Sequence, residues 1–479
     1  MQKKSHRGPK GPRPAAPKAK SPAKADTSSS LYIEKFTEDG LGLGSLAGKE
    51  ALAFGAYPGE KVLVAVEHEG QRRIVARLLK VLERSPHRVP PSCLVSRRCQ
   101  GCPLIELAYP KQLEAKRQKV LESLRAYPSL GAVQIAPTLE ALQSIGYRTN
   151  AKLALAKSRG QVRIGIFRRG THEVTDIGGC PLHHPLINRI VEVVRDEIDR
   201  QKISIFDPRH GRGLLRYLVI KVSPDLNKAM VTFVTTEREY RQITHLAKWL
   251  KSRVPEVVSI HQNLNRSEGN VILGRETLKM LGAPDLFDQV GDIRLRISPT
   301  SFFQVNHDQA RRIYEQVRAW AALTPEDTAL DLYCGIGGIA LNLARDAGSV
   351  VGIEVVEEAT RNAAQNAREN GLTNCRFVSG DAAELMAEIR SEIPSLAVAV
   401  VNPPRKGCDP EVLEALCAMA PRTLIYVSCN PASLARDLDL LCKKDYVLRE
   451  VQPVDMFPQT FHVETLVRLE RRAPQEAKP

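Results

Sequence analysis

Short apolar runs that stop abruptly at a polar or glycine residue recur through the last third of the chain. They are Thr328–Leu332, Val350–Glu354, Phe377–Asp381, Val398–Asn402, Thr423–Cys429 and Thr465–Leu469. Continuous apolar runs of this length are typical of strands that are buried on both faces of a sheet. A helical stretch at Ala340–Ala344 follows the first of them. This pattern predicts an α/β unit with a mostly parallel sheet over residues 296–479.

The upstream part of the chain has other patterns. Residues 31–88 contain short strand-like runs, such as Lys61–Val66, between turns that carry glycine or proline, and they predict a small antiparallel β-barrel. Residues 89–295 begin with a cysteine-bearing segment and a predicted amphipathic helix, Gln112–Leu124, and continue with alternating strand-like and helical pieces, so we expect an α+β central domain. Residues 1–30 are rich in Lys, Arg, Pro, Ala and Ser, with Asp26 as the sole acid, and predict a disordered basic tail.

The net charge of the chain indicates what kind of partner it binds. The chain of 479 residues has a formal net charge of +15, which favours a polyanionic partner such as nucleic acid. No apolar run approaches the roughly 18 residues of a membrane span, and the N-terminus lacks the apolar core of a signal peptide. We therefore expect a cytoplasmic monomer without a membrane partner, in which the ten cysteines are ligands, nucleophiles or core residues rather than disulfides.

Three cysteines lie close together after the predicted barrel. Cys93, Cys99 and Cys102 have gaps of five and two residues, and Cys180 stands alone within Ile177–Pro181. A short loop can turn three sulfurs inward while a distant segment supplies the fourth. The residues alone leave a zinc ion and a [4Fe-4S] cluster comparable, because both prefer four thiolates.

Cys429 is placed differently, at the carboxyl end of a predicted buried strand. Ligands of open α/β sheets bind outside the carboxyl ends of the strands, so this position suits a nucleophile. The alternative is a thiol that only packs in the core, as free cysteines often do. Cys334 and Cys408 are rival nucleophiles, and His462 could either polarise a substrate or cap a turn.

A glycine-rich turn follows the first strand of this unit. Tyr333–Gly338 lies between the strand and a helix, where glycines permit a tight turn and a close approach of a ligand to the backbone. Glu354 ends the next strand about 20 residues later, where an acid can bind both ribose hydroxyls. A nicotinamide dinucleotide would require the same two features. The further strand ends at Asp381 and Asn402 favour S-adenosylmethionine instead.

Three segments resemble known proteins. Gly40–Gly44 with Ala56–Val62 resembles the TRAM domain, an OB-like RNA-binding module. Pro91–Cys102 resembles the iron-sulfur segment of the bacterial 23S rRNA (uracil-5-)-methyltransferases. The strand-end residues together with Phe457–Glu464 closely resemble the RNA 5-methyluridine methyltransferases, and the likeness extends over nearly the whole chain beyond the tail.

The resemblance implies a Rossmann-like class I methyltransferase domain that methylates uridine C5 in structured RNA, with 23S rRNA favoured, through a covalent Cys–C6 adduct. Cys429 would be the nucleophile and Glu464 the base. The residues that would contact S-adenosylmethionine are Gln304, Tyr333, Glu354, Asp381 and Asn402, and those that would hold a [4Fe-4S] cluster are Cys93, Cys99, Cys102 and Cys180.

The sequence departs from the family pattern at two positions. Gly338 replaces an Asn of some members and Asn402 an Asp of many, as in the variant that acts on a different 23S uridine. The alternatives are uridine methylation of tRNA, amino-group methylation of an RNA base, a TRAM-bearing radical enzyme and a non-catalytic RNA-binding iron-sulfur protein. Asn402–Pro404 is compatible with amino-group methylation, but Arg405 stands where those enzymes carry an aromatic residue.

Overall fold

The computed structural model describes residues 28–131, 133–239, 241–267, 269 and 271–473. The predicted basic tail lies outside these residues, apart from Ser28–Ser30. Within the described ranges, no helix is both long and apolar enough to cross a membrane.

Residues 28–83 form a six-stranded sheet with the order β1-β5-β6-β4-β3-β2. Its strands are β1 (Ser28–Tyr32), β2 (Lys35–Phe36), β3 (Gly42–Leu46), β4 (Lys49–Ala53), β5 (Lys61–Glu69) and β6 (Arg73–Glu83). The sheet curls on itself, since a Cβ at Gly44 in β3 would lie 1.9 Å from the Tyr32 carbonyl oxygen in β1. Only glycine permits this approach.

Two expectations for this region need correction. The predicted barrel is antiparallel, but β4 and β6 pair in parallel, because the chain crosses through β5 before it returns beside β4. The predicted tail includes Ser28–Ser30, but these residues pair with Leu63–Ala65 of β5. Their backbone groups are bound in the ladder although their side chains are small and polar.

The cysteine-bearing segment leads into two helices. They are the short α1 (Ser96–Cys99) and α2 (Tyr109–Arg125), and a 3-10 turn, Pro128–Leu130, follows. Helix α2 contains the predicted Gln112–Leu124 and confirms that helix. Its apolar side, with Val120 and Leu124, packs into the core of the C-terminal sheet rather than into a central domain.

A seven-stranded sheet follows, with the order β13-β12-β11-β10-β7-β8-β9. Its elements are β7 (Asn150–Ser158), β8 (Gln161–Phe167), β9 (Val174–Asp176), α3 (Pro185–Gln201), β10 (Leu215–Ser223), β11 (Lys228–Thr235), α4 (Arg241–Arg253), β12 (Val257–Leu264) and β13 (Glu276–Gly282). Helices α3 and α4 bury their apolar sides against this sheet.

A hairpin of β14 (Leu286–Val290) and β15 (Ile293–Ile297) connects the central sheet to the C-terminal unit. The boundary predicted between residues 295 and 296 cuts through β15. The buried side chains of the hairpin, such as Leu286 and Leu295, share one hydrophobic core with the C-terminal unit. The packing therefore moves the boundary to a position before the hairpin.

The C-terminal unit has a second seven-stranded sheet, with the order β18-β17-β16-β19-β20-β22-β21. Its elements are α5 (His307–Ala321), β16 (Thr328–Leu332), α6 (Gly338–Leu343), β17 (Ser349–Glu354), α7 (Glu357–Glu369), β18 (Cys375–Ser379), α8 (Ala382–Glu392), β19 (Val398–Val401), α9 (Pro410–Met419), β20 (Thr423–Ser428), α10 (Pro431–Lys443), β21 (Tyr446–Val454) and β22 (Glu464–Arg471).

Strands β16 to β20 of this sheet are parallel, whereas β22 is antiparallel to both of its neighbours. The chain direction across the sheet reverses between β16 and β19, which creates a crevice outside their carboxyl ends. Because β22 runs the opposite way, its first residue lies at the same edge as the ends of the parallel strands. The predicted α/β fold is confirmed, and this edge is the natural place for a site.

Candidate functional site

The glycine-rich turn after β16 is tied to the end of β17. The Gly335 N–H donates to Glu354 Oε2 over 3.0 Å, and the Val356 N–H donates to Glu354 Oε1 over 2.9 Å. Tyr333, Gly335 and Gly337 have φ angles of 63°, 57° and 89°, so the turn uses the left-handed region three times. These bonds orient the Glu354 carboxylate at the edge and leave lone pairs for further donors.

Asp331 of β16 also stabilises this turn, and it was not among the predicted site residues. Its Oδ2 accepts the Ala340 N–H over 2.9 Å and so fixes the first turn of α6. Burial raises the pKa of Asp331 to about 8. The sequence feature that could have identified Asp331 is its position as the single acid in an otherwise mostly apolar strand, two residues before the turn.

The space above the turn is open. A Cβ at Gly335 would have no neighbouring atom within 4 Å, so a ligand can approach the backbone there. Val355 and Val356, which follow Glu354, are 63% and 52% exposed and offer an apolar surface beside the carboxylate. Asp381 is exposed and caps α8 by accepting the Ala383 N–H over 2.8 Å. This arrangement is suited to an adenosine, with an apolar surface for the base and acids for its polar groups.

Gln304 lies in the loop between β15 and α5, which the central sheet holds in place. Lys221 of β10 is buried, and its Nζ donates to the carbonyl oxygens of Ser298 and Ser301 at the start of this loop. Burial lowers the pKa of Lys221 to about 7. The Thr149 hydroxyl donates to the Gln304 carbonyl oxygen over 3.2 Å. The central sheet thus positions a residue of the C-terminal site.

Cys429 directly follows β20, and Glu464 is the first residue of the adjacent strand β22. Ser428, the last residue of β20, pairs with Thr465 of β22, so the next pair outward is Cys429 and Glu464. Directly opposite residues of antiparallel strands have their Cβ atoms about 4.5–5.5 Å apart. Asn402 follows the neighbouring strand β19, and its N–H donates to the Leu332 carbonyl oxygen over 3.2 Å. A thiol and a carboxylate therefore face one small region at this end of the sheet.

The electrostatics of this pair differ from those of ordinary side chains. Burial raises the pKa of Glu464 to about 7. Burial and the nearby Glu464 carboxylate raise the pKa of the Cys429 thiol. The Arg405 guanidinium opposes both changes and lowers the pKa of each group. Arg405 is therefore a third member of this site, which sequence reasoning used only as an argument against amino-group methylation.

The turn that carries Arg405 is anchored to α10. The Arg405 carbonyl oxygen accepts hydrogen bonds from Asn430 Nδ2 over 2.9 Å and from Ser433 Oγ over 3.1 Å. Asp437 Oδ2 accepts the Cys408 N–H over 2.9 Å and the Tyr426 hydroxyl over 2.6 Å. The anchored backbone limits where the guanidinium can lie relative to the thiol.

The rival thiols lie in less suitable places. Cys334 and Cys408 are buried, whereas Cys429 is partly exposed. Burial raises the pKa of Cys408 to about 12, and burial also raises that of Cys334. The pKa of Cys429 is raised as well, but its sulfur lies in a partly exposed residue, whereas burial keeps a substrate away from the other two thiols. His462 lies in the loop before Glu464, and partial desolvation together with the nearby charge of Arg405 lowers its pKa to about 4, so the ring is neutral near pH 7.

The four predicted ligand cysteines meet around one cavity of about 310 Å³, which Cys93, Cys99, Cys102 and Cys180 all line. Burial and the neighbouring Cys180 and Cys99 thiols raise the pKa of Cys102. In the part of the chain that the structure describes, no three His, Cys, Asp or Glu side chains are grouped as the ligands of a metal ion. The cysteines therefore surround a space without closing on a single point.

Comparison with known proteins identifies the family. Residues 108–472 match the model of the tRNA (uracil-5-)-methyltransferase family. The chain belongs to this family. It is 48% identical over 446 residues to a protein of Geobacter sulfurreducens described as an uncharacterized RNA methyltransferase, with coverage of 93% of this chain and 90% of the other. An uncharacterized RNA methyltransferase of Caldanaerobacter subterraneus is 36% identical over 440 residues, covering 92% and 97% of the two chains.

A solved structure agrees with this membership. The crystal structure of the Pyrococcus abyssi tRNA (uracil-54, C5)-methyltransferase in complex with S-adenosyl-L-homocysteine matches with a TM-score of 0.73 and 28% identity, over 92% of this chain and 100% of that one. The predicted class I methyltransferase fold is thereby confirmed. The protein is an RNA methyltransferase of the uracil-5 family, as the resemblance predicted.

Proposed function

We propose that the protein transfers a methyl group from S-adenosylmethionine to C5 of a uridine in structured RNA. The observation that carries this proposal is that Cys429 directly follows β20 and Glu464 begins the adjacent β22, at the edge that also carries the glycine-rich turn. A thiol alone would allow many reactions. A thiol that faces a buried carboxyl group fits a reaction that needs a nucleophile first and a base afterwards.

The nucleophilic step falls to Cys429. Its thiolate adds to C6 of the uracil, and the electron pair of the C5–C6 double bond moves to the C4 carbonyl, so that C5 becomes an enolate carbon. S-adenosylmethionine, when bound, would supply the methyl group: C5 forms a bond to the methyl carbon, the bond from that carbon to the sulfonium sulfur breaks, and S-adenosylhomocysteine leaves. Arg405 favours the thiolate form by its charge, against the burial and the Glu464 carboxylate that disfavour it.

The second step falls to Glu464. After methyl transfer, C5 carries both the methyl group and its original proton. The Glu464 carboxylate removes that proton, the C5–C6 double bond forms again, and the Cys429 thiolate leaves. A base with a pKa of about 7 holds a proton more strongly than an ordinary carboxylate and is half ionised near neutral pH.

S-adenosylmethionine would be held at the other half of the edge. We assign Glu354 to the ribose hydroxyls and Asp381 to the adenine amino group, with Val355 and Val356 against the base. Tyr333, Gln304 and Asn402 complete the set that the family resemblance implies. The open space at Gly335 and the free lone pairs of Glu354 support this assignment.

The target uridine must leave its stack to reach C6 and C5, which costs a few kcal/mol, so a loop or bulge is the expected substrate. The favoured RNA is 23S rRNA, on the resemblance of the cysteine segment. The second candidate is tRNA, because the Pyrococcus abyssi structure that matches 92% of this chain is described as a tRNA enzyme. We assign the six-stranded sheet of residues 28–83 to a TRAM-type RNA-binding module.

We further infer that Cys93, Cys99, Cys102 and Cys180 hold a [4Fe-4S] cluster. Support comes from the arrangement of all four cysteines around one cavity, and the resemblance of the cysteine segment favours the cluster over a zinc ion. Anaerobically purified protein should contain about four iron atoms per chain, and Cys180→Ser should reduce this content. Stoichiometric zinc without iron would contradict the assignment.

The proposed reaction is tested by incubating the protein with methyl-labelled S-adenosylmethionine and 23S rRNA or tRNA transcripts. Wild-type protein should produce 5-methyluridine, and Glu464→Gln should retain the labelled RNA as an adduct that survives denaturing electrophoresis. Cys429→Ala should yield neither product nor adduct, whereas Cys417→Ala, a core thiol remote from the edge, should behave as wild type. Methylation of a base amino group, or turnover by Cys429→Ala, would overturn the proposal.

A further inference from the structure

Glu464 follows a loop without regular secondary structure, Asp455–Val463, which we call the base loop. The base loop is buried along most of its length, with Asp455 fully inaccessible to solvent. Gln459 adopts a φ of 68°, which is unfavourable for a residue with a side chain. A loop with these properties keeps one conformation only if its surroundings hold it there.

A buried ion pair holds the start of the base loop. Lys116 of α2 donates from Nζ to the Asp455 carboxylate, and both side chains are fully buried. The same Nζ donates to the Phe457 carbonyl oxygen over 3.0 Å. Burial lowers the pKa of Lys116, and the Asp455 carboxylate opposes that change. A charge in such a place needs its partner, so the pair fixes the loop relative to α2.

A pair of amides holds the middle of the base loop. Gln112 Oε1 accepts the Gln459 N–H over 3.0 Å, and Gln112 Nε2 donates to Gln459 Oε1 over 2.9 Å. Gln112 Nε2 also lies within hydrogen-bond distance of the carbonyl oxygens of Leu104 and Leu107, over 3.1 and 2.7 Å. In return, the Leu104 N–H donates to the Gln459 carbonyl oxygen over 3.1 Å. Gln112 therefore joins α2, the segment directly after Cys102 and the base loop.

The end of the base loop contacts the N-terminal sheet. The centroids of the Phe461 and Phe36 rings are 5.1 Å apart. The Nζ of Lys119 in α2 lies over the Phe461 ring, 4.9 Å from its centroid. A Cβ at Gly40 would lie 2.5 Å from the Phe461 Cβ, so the two segments are in close contact. Helix α2, the segment after Cys102 and the N-terminal sheet thus all contact the base loop.

The placement of a base is sensitive to small displacements. A general base must come within about 2.6–3.2 Å of the atom whose proton it removes, and a displacement of 1 Å can cost about 10²-fold in rate. Strand pairing fixes the backbone of Glu464 on the β22 side. On the N-terminal side of Glu464 the chain is not part of a strand, so there the base loop fixes the backbone.

We propose that Lys116 and Gln112 are positioning residues for Glu464, and that proton removal from C5 depends on them while methyl transfer does not. This inference rests on the proposed function and assigns a role in it to α2, whose Lys116 is 339 residues from Asp455 in the chain. A merely structural role would lower stability and slow both steps alike. A positioning role slows one step selectively.

The test uses two variants in the full chain. Lys116→Met/Asp455→Val removes both buried charges, because a buried pair replaced by apolar residues is far less disruptive than a single unpaired charge. Gln112→Met removes the amide contacts at nearly constant shape. The matched control is Lys111→Met on the same helix, where Lys111 is 39% exposed and pairs only with Glu114.

Single-turnover reactions with labelled S-adenosylmethionine and substrate RNA separate the two steps. In both variants, the methylated adduct should form at the wild-type rate and be released about 10²-fold more slowly, while the KM for RNA and the affinity for S-adenosylmethionine stay unchanged. Lys111→Met should match wild type in both steps.

Release at the wild-type rate in Gln112→Met would overturn the inference, and so would an equal slowing of both steps in either variant. If the double variant does not fold, Gln112→Met decides the question. A wild-type protein that forms no adduct with any of the RNAs would instead overturn the proposed function, and with it the role of Glu464 as a base.

Discussion

The two halves of the C-terminal edge are built in different ways. The half assigned to S-adenosylmethionine closes through short-range contacts, since the Gly335 N–H and Glu354 are 19 residues apart. The half with Cys429 and Glu464 depends on contacts between residues that are far apart in the chain, such as Gln112 and Gln459, with a separation of 347 residues. Apart from Gln304, whose loop Thr149 and Lys221 hold from the central sheet, the first half is a property of consecutive strand–turn–helix units, whereas the second is a property of the assembled molecule.

This difference separates the expected failures of the two halves. Damage to the turn at Gly335 should weaken binding of S-adenosylmethionine and leave the thiol reactive. Damage at the substrate half should leave that binding intact and stop the chemistry. Four predictions test whether the halves are as independent as their contacts indicate.

The largest effect is expected for Cys429→Ala. Loss of a covalent nucleophile should lower methylation by at least about 10⁴-fold, because no other exposed thiol lies at this edge among the described residues. Binding of S-adenosylmethionine, measured by calorimetry, should not change. Methylation retained at the wild-type rate would move the nucleophile to Cys334 or Cys408, and weakened binding would show that the halves are coupled.

The next effect concerns stability and the Glu464 carboxyl group. Its pKa is raised from 4.5 to about 7 in the folded protein, so the folded state keeps a proton that the unfolded state releases. Stability should therefore fall as the pH rises from 4.5 through 7. At 1.36 kcal/mol per pKa unit, the full cost above pH 7 is about 3 kcal/mol.

Glu464→Gln cannot ionise and should be more stable than wild type by up to this amount at pH 9, with the difference vanishing below pH 4.5, where the carboxyl group is protonated in both states. Urea unfolding at a series of pH values measures it. Glu411→Gln, at an exposed position on α9, is the control and should show no such trend. A difference that does not vary with pH would contradict the raised pKa.

On the other half, Glu354→Ala should weaken binding of S-adenosylmethionine by about 10- to 100-fold, the usual cost of lost hydrogen bonds to a charged group. Alkylation of Cys429 by iodoacetamide, followed by mass spectrometry, should proceed at the wild-type rate. Glu357→Ala is the control, since Glu357 is exposed and pairs with Arg361 on α7. An unchanged Kd would remove Glu354 from the site.

The smallest effect is expected for Arg405→Gln. Arg405 lowers the pKa of Cys429, so its loss should leave less thiolate and slow alkylation near pH 7.5 by about threefold to tenfold. The guanidinium is exposed, so high salt should reduce the difference. Lys406→Gln tests charge at the next position, where the side chain pairs with Asp409, and should have little effect. Equal effects of both variants would indicate a general field rather than a local contact.

Much of the C-terminal unit is predictable from local pattern. The apolar run Leu424–Val427 forms the core of β20, and Cys429 follows its end as predicted. Glu354 ends β17, and the glycine turn leads into α6. These features depend on residues close in the chain, where hydrophobic period and turn chemistry determine the backbone.

The predictions that were wrong concern pairing between distant segments. Nothing in the run Lys49–Ala53 indicates that it pairs in parallel with β6, and nothing in Ser28–Ser30 indicates a strand. The boundary inside β15 had the same origin, because a hairpin does not reveal which core it joins. Arg405 was not predicted as a site residue, because its position near Cys429 depends on the hydrogen bond from Asn430, at the start of α10, to the turn that carries Arg405.

Local patterns suffice to predict the class of the sheet, the glycine turn with its acid, the strand-end thiol and the four cysteines, because each depends on residues a few positions apart or on a residue type with few uses. The proximity of Glu464 to Cys429, the shared cavity of the four cysteines and the contacts of Lys116 and Gln112 with the base loop emerge only from the folded chain. Such contacts depend on how strands pair and on which apolar faces are buried together. Those choices minimise the free energy of the whole chain, and no local stretch of sequence records them.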